Sequence, residues 1–343
     1  MKKILSIILV IALFGAILAG CSGAKDTSGG GEATKEATGG QTGGQAAEQK
    51  QTAEKKAEKE QYVFGYTCMT MNNPFFIILE KSIRDKVEAN GDVLITTDPA
   101  MDVAKQINQV EDMITQGIDA IYLNPVDWEG IRPALEALKA ANIPIINFDT
   151  EVKDMEFVTA YVGSDNKNAG RVCGEDLVKR FPNGGPIVVL DSPTMNSVND
   201  RIAGFFEAIE GKGFEVVAQQ DARGDLQTSL QITEDILQAH PDIIAIMGGN
   251  DPTALGALAA CKAANLPDIL IYGVDGSPEA KAEIASGSQF VGSGAQSPIS
   301  IGVQSVEVAY KVLNGEPYEK RTPVKTFLIN EDNVAEYGTD GWQ

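Results

Sequence analysis

The sequence predicts an α/β protein made of two doubly wound, parallel-sheet lobes joined by a multi-strand hinge. Three observations carry that expectation. From about residue 61 onward, short apolar runs alternate with segments of helical periodicity. The alternation occurs twice. The two copies also share wording: Ala140-Ala141-Asn142-Ile143-Pro144 leads to Asn147-Phe148-Asp149, and Ala263-Ala264-Asn265-Leu266-Pro267 leads to Gly273-Val274-Asp275. Strands that alternate with helices form a parallel sheet covered on both faces.

In the first copy, residues 63–67 read as a strand and 75–89 as a helix. A strand at 93–96 precedes Val103, Ile107, Val110 and Ile114, which repeat at helical spacing. Strand 120–123, helix 130–141 and strand 143–148 complete the copy. In the second, strand 187–190 leads to a helix near 203–211 and a strand at 216–218. Leu226, Leu230, Thr233 and Leu237 then follow at helical spacing. Strand 243–247, helix 253–264 and strand 269–274 close it. Residues 159–162 and 290–293 are extra β segments, expected to cross between the lobes as a hinge. The lobes are expected over 61–163 with 297–325, and over 164–296 with 326–343.

Residues 1–20 read as a signal peptide: Lys2 and Lys3 precede an apolar run over 4–18 that is too short to span a bilayer comfortably. It ends Leu18-Ala19-Gly20-Cys21, which resembles a bacterial lipobox and implies lipidation of Cys21. Residues 21–60 are rich in Gly, Ala, Thr, Gln, Lys and Glu, with almost no large apolar side chain. They cannot bury enough surface to offset ordering and are expected to form a tether. The formal charge of −20 opposes binding to nucleic acid or an anionic bilayer.

Cys68, Cys173 and Cys261 are odd in number, far apart and set in apolar segments, so they read as small buried hydrophobes. The single histidine, His240, excludes most histidine-based metal sites and triads. No nucleophile elbow, P-loop or metal cluster appears, so neither an enzyme nor a cofactor or metal is expected. In such sheets ligands bind at the carboxyl ends of the strands. Asn72, Asn73, Asn124, Asp149, Asn250 and Asp275 lie at those ends.

Over residues 62–329 the chain resembles the ribose-binding branch of the periplasmic binding proteins. The resemblance rests on Asn72-Asn73-Pro74-Phe75-Phe76, Asn124-Pro125, Gly163-Ser164-Asp165-Asn166, Ala239-His240-Pro241-Asp242, Asn250-Asp251 and Gly273-Val274-Asp275-Gly276, in that order. It implies a neutral sugar or polyol as ligand, an ABC import permease as partner and an extracytoplasmic monomer held to the membrane only by its lipid. Related repressors share this fold but would carry a basic helix-turn-helix where this chain has its lipobox and tether. A sensing partner of a chemoreceptor or histidine kinase, or a quorum-signal binder, is the alternative on the same fold.

The resemblance also implies roles. Asn73 bonds a hydroxyl. Phe75 and Phe76 supply the first-lobe aromatics, with Phe76 expected to face the ring and Phe75 the core. Asp149 and Asp275 accept bonds from hydroxyls, and Arg201 reaches the ring and its oxygens. Asn250 and Gln296 provide second-lobe and hinge amides. Two positions depart from the pattern: Thr150 stands where the ribose binders have arginine, and Gly224 where they have an aromatic. The site is therefore expected to be wider, with Met69, Trp128, Thr150 and Arg223 as further candidate contacts.

Overall fold

The computed structural model describes residues 61–343. The expected signal peptide, the Cys21 anchor and the tether lie outside the described residues.

The chain opens with β1 (Val63–Thr67), α1 (Pro74–Ala89), β2 (Val93–Thr97), α2 (Val103–Thr115), β3 (Ala120–Leu123), α3 (Arg132–Ala140), β4 (Ile145–Phe148) and β5 (Ala160–Ser164). There follow α4 (Asn166–Arg180), β6 (Gly185–Asp191), α5 (Asn196–Ile209), β7 (Phe214–Asp221), α6 (Leu226–Ala239), β8 (Ala245–Gly248), α7 (Asp251–Ala263), β9 (Leu270–Asp275), α8 (Pro278–Ala285) and β10 (Phe290–Ala295). The chain ends with α9 (Pro298–Asn314), β11 (Arg321–Val324), β12 (Phe327–Asn330) and α10 (Val334–Tyr337).

Two six-stranded sheets result, β11-β5-β4-β3-β1-β2 and β12-β10-β9-β8-β6-β7. The orders are the same once the second copy is laid over the first, so the repeated sequence is a repeated fold. The shared wording has a local cause. Asn142 and Asn265 lie one residue past the helix caps that end α3 and α7, with φ of 57° and 56°. Asparagine tolerates this left-handed conformation, which stops a helix and turns the chain toward the next strand.

Helix starts are equally explicit. Asn73, Asp102, Asp165, Asp225, Asn250, Ser277 and Ser297 each accept a backbone N–H as N-caps, and proline follows at the first turn of four of these helices, α1, α7, α8 and α9.

Two expectations need correction. The helix expected near 203–211 starts at Asn196. Val198, Ile202, Phe205 and Ile209 form one buried stripe, and the polar residues between its first members hid the helical start. Residues 159–162 and 290–293 are not crossovers. They belong to β5 and β10, interior strands of the two sheets. The crossings are the short segments that follow these strands, and a third links β11 to β12. Asp165 N donates to Val324 O at 3.0 Å, Thr326 Oγ1 to Asp165 O at 2.9 Å and Asn168 Nδ2 to Thr326 O at 3.0 Å, binding the first crossing to the third. Because β11 leaves its sheet at the cleft, β12 must run away from the cleft, antiparallel to β10.

Glycines set the helix pair α4–α5. A Cβ on Gly170 would stand 1.7 Å from Arg201 O, and one on Gly204 would stand 1.9 Å from Lys167 O. Only hydrogen fits at these two places, and the close approach carries Arg201 inward.

Candidate functional site

The carboxyl ends of both sheets face a cavity of about 390 Å³. Its wall includes Asn73, Phe75, Phe76, Asp149, Arg201, Asn250, Asp275 and Gln296, together with Met69 and Arg223. The fold thus brings together all eight expected contacts and two of the four further candidates.

The floor is polar and buried. Asp149 follows β4 with φ of 58°. Its Oδ2 accepts from Asn124 Nδ2 at 3.0 Å and from Thr150 Oγ1 at 3.3 Å. Asp275 ends β9; its Oδ1 accepts from Gln296 Nε2 at 2.7 Å and its Oδ2 from Asp251 N at 3.4 Å. Arg201 lies between the two carboxylates, 3.9 Å from Asp149 Oδ1 and 3.6 Å from Asp275 Oδ1. Both separations exceed a hydrogen bond. The guanidinium is held instead by Asn166 Oδ1 at 2.8 Å and Gly249 O at 3.0 Å. Asp149 Oδ1 and Gln296 Oε1 are buried and make no hydrogen bond among the described residues. Buried polar atoms in native proteins are almost always satisfied, so these two acceptors are suited to donors from a ligand.

Asp251, buried behind Asp275, accepts from Ser277 N and Ser293 Oγ, each at 2.7 Å. Burial pushes the carboxyls of Asp149, Asp251 and Asp275 above the ordinary range. Arg201 opposes that rise at all three, while Asp251 adds to it at Asp275. Hydroxyl donors favour the ionised form of such carboxylates.

Apolar side chains complete the wall: Met69, Met101, Met195, Phe75, Phe76 and Trp342. Phe75 and Phe76 meet edge to face at 5.4 Å. Both reach the cavity, which corrects the expectation that one would turn to the core. Asn73 serves twice: its Oδ1 accepts from Phe75 N at 3.0 Å to cap α1, and its side chain still borders the cavity. Asn250 is a strut, with Oδ1 accepting from Thr253 N at 3.0 Å and Nδ2 donating to Gly224 O at 3.1 Å.

Thr150 and Trp128 are not in the cavity wall. Thr150 is fully buried and its Oγ1 lies 2.7 Å from Ser197 Oγ on the other lobe. Trp128 N donates to Thr194 O at 3.1 Å, also across the cleft. Both residues therefore join the lobes. The expected gap at Gly224 is partly filled as well. A Cβ there would lie 3.3 Å from Met195 Cε, and Gly224 has φ of 66°, which disfavours any larger residue.

Sequence reasoning missed Trp342, Met195, Met101 and Ser197. Met195 and Ser197 belong to the misplaced start of α5. Trp342 stands as an isolated aromatic in a polar tail, a signal that pointed to docking but not to where. Cys68, Cys173 and Cys261 are free and buried, and burial raises the Cys68 and Cys261 thiols to about 12. Among the described residues no histidine, cysteine and carboxylate group is placed to hold a metal ion, and no helix is long and apolar enough to cross a membrane.

Two α/β lobes enclosing a cavity with a polar floor define a bilobed protein for binding small molecules. Comparison makes the family specific: residues 64–317 match the periplasmic binding protein domain, and the chain belongs to that family. It is 32% identical to the ribose import binding protein of Escherichia coli over 261 residues, 76% of this chain and 88% of the relative. An ABC transporter solute-binding protein of Mycobacterium smegmatis, solved with bound glycerol, superposes with a TM-score of 0.78 at 30% identity, covering 82% of this chain and 98% of that one. One from Bacillus halodurans, solved with myo-inositol, gives 0.76 at 28% identity, covering 82% and 99%.

Proposed function

We propose that this protein captures a neutral polyhydroxylated ring, a monosaccharide or a cyclitol, and delivers it to an ABC import permease. The observation that carries the reading is the floor of the cavity. Two carboxylates, one from each lobe, flank a shared guanidinium, and Asp149 Oδ1 and Gln296 Oε1 make no hydrogen bond among the described residues. A sugar edge offers hydroxyl donors to both carboxylates and oxygens to the guanidinium, and its C–H faces suit the phenylalanines. A ligand that bonds both lobes only when they meet shifts the population toward closure, and the closed face is what a permease reads. Relatives and structural neighbours named for ribose and myo-inositol support this ligand class.

Within that class we favour a ring other than ribose. The Thr150 hydroxyl is engaged by Asp149 and Ser197, so it does not replace the arginine of the ribose binders. Titration of the purified protein with ribose, xylose, glucose, galactose and myo-inositol tests both levels. Ribose binding most tightly, at submicromolar affinity, would refute the preference; turnover of any of them would refute a binding role. The reading includes lipid anchoring at Cys21 and a monomeric state. Cys21→Ala is expected to abolish anchoring, and normal processing with unchanged membrane attachment in that variant would remove this part.

A further inference from the structure

The cavity wall combines buried polar groups with apolar side chains, and one of the latter comes from a segment that no family motif accounts for. Residues 338–343 leave α10 and return to the cleft. Lys281 of α8, fully buried, holds them in place: its Nζ donates to Gly341 O at 2.6 Å and to Gln343 Oε1 at 3.3 Å. Gln343 Nε2 donates in turn to Asp275 O at 3.0 Å and to Gln296 O, the backbone of two floor residues. Trp342 is thereby fixed in the cavity wall, where its ring meets Phe75 edge to face at 5.8 Å. Phe75 belongs to α1 in the first lobe, and the tail is anchored on the second. Each lobe thus contributes one aromatic of this pair, although position 224 contributes none.

We infer that Trp342 is a specificity-determining ligand contact, which with Phe75 and the three methionines favours a hydroxylated ring carrying an apolar substituent. The inference rests on the sugar or cyclitol reading above and deepens it. Hydroxyls bound by Asp149, Asp275 and Arg201 leave the rest of the ligand to meet Trp342, Phe75, Met69, Met101 and Met195 in the same wall. None of these side chains offers a strong hydrogen bond to a hydroxyl except the indole N–H. A methyl or larger apolar group there gains by burial, whereas a hydroxyl there loses its water.

The test compares ribose, galactose and myo-inositol with their methyl glycosides or O-methyl ethers, by calorimetric titration of the wild type, Trp342→Ala and Trp342→Phe. For at least one parent, the methylated compound is expected to bind the wild type about fourfold or more tightly, the worth of one buried methylene. Trp342→Ala should erase that ratio and Trp342→Phe should keep most of it. Trp128→Phe leaves Trp342 as the remaining tryptophan, and its emission should shift when ligand saturates the site. Parents that bind as tightly as their methylated forms in the wild type, or a ratio unchanged in Trp342→Ala, would overturn the inference and leave the sugar reading standing. If the wild type binds none of the six compounds, the sugar reading falls and the inference falls with it.

Discussion

The two lobes share a strand order and each ends a central strand on an aspartate at the cleft, yet they hold these carboxylates differently. In the first lobe, Asp149 is backed by neutral donors, Asn124 and Thr150. In the second, Asp275 accepts from the amide of Gln296 on one oxygen and from the backbone N–H of Asp251 on the other, and the buried charge of Asp251 adds to the rise of its pKa. A duplicated frame thus delivers the same group to the same place, and the neighbours decide its electrostatics. The second lobe carries a second buried carboxylate beside the first, and Arg201 serves both lobes.

The severest test of that comparison removes the shared cation. Arg201→Met leaves three buried carboxylates without their guanidinium and is expected to cost about 3–5 kcal/mol of stability at neutral pH. The loss should shrink in acid, where the carboxyls take up protons. Urea unfolding at pH 5 and pH 8 measures it, and a variant as stable as the wild type at pH 8 would break the view that one cation serves both lobes.

Next come the carboxylates themselves. Asp149→Asn and Asp275→Asn should each weaken binding of the preferred ligand by about 5- to 150-fold, the range expected when a buried donor loses its acceptor, at about 1–3 kcal/mol. Asp275→Asn should also stabilise the empty protein at pH 8 more than Asp149→Asn does, because it relieves the repulsion from Asp251 as well as the burial of a charge. Equal stabilisation by the two substitutions would show that the lobes are electrostatically alike.

The dependence on pH sharpens the same point. Folded-state carboxyl pKa values raised above the ordinary range mean that the folded protein binds more protons than the unfolded chain. Stability of the unliganded protein therefore falls as pH rises from the ordinary carboxylate range into the raised one. Thermal melts between pH 4.5 and 8.5 should show that slope, and Asp251→Asn should flatten it more than Asp149→Asn.

Two smaller effects complete the series. Thr150→Val removes the 2.7 Å bond to Ser197 that joins the lobes and should weaken binding about fivefold, the worth of a bond near 1 kcal/mol. Unchanged affinity would mean that closure does not use it. Asn142→Ala and Asn265→Ala should cost roughly 0.5–1 kcal/mol each and by equal amounts, since both sit at the same left-handed turn of the repeat. A clear inequality in denaturant midpoints would show that the copies have diverged even where their wording agrees.

The frame was legible because its signals are local. Apolar periodicity, N-cap side chains and the paired asparagine turns mark β1 to β4 and β6 to β9 without reference to distant residues. The polar floor was legible too, since Asp149, Asp275 and Asn250 lie where strands end and Arg201 matches a family position. What escaped depends on how the lobes meet. Thr150 and Trp128 stand on cleft loops just as true wall residues do, and only the position of Ser197 and Thr194 turns them into lobe-to-lobe contacts. Trp342 follows a polar stretch with no period, so its docking on Phe75 was hidden. The burial of Asp251 behind Asp275 is also tertiary: a helix-opening aspartate normally faces water.

The winding of the chain has a consequence for the order in which the molecule is completed. The first sheet gains β11, and α1 gains its packing partner α9, only after β6 to β10 of the second lobe have been made. Until residue 324 emerges, the first lobe lacks an edge strand and the cover over one apolar helix face. Non-local closure of this kind slows folding, because the intervening loop must be ordered before its contacts form. A growing chain therefore stays short of its native state until nearly all of it has been synthesised.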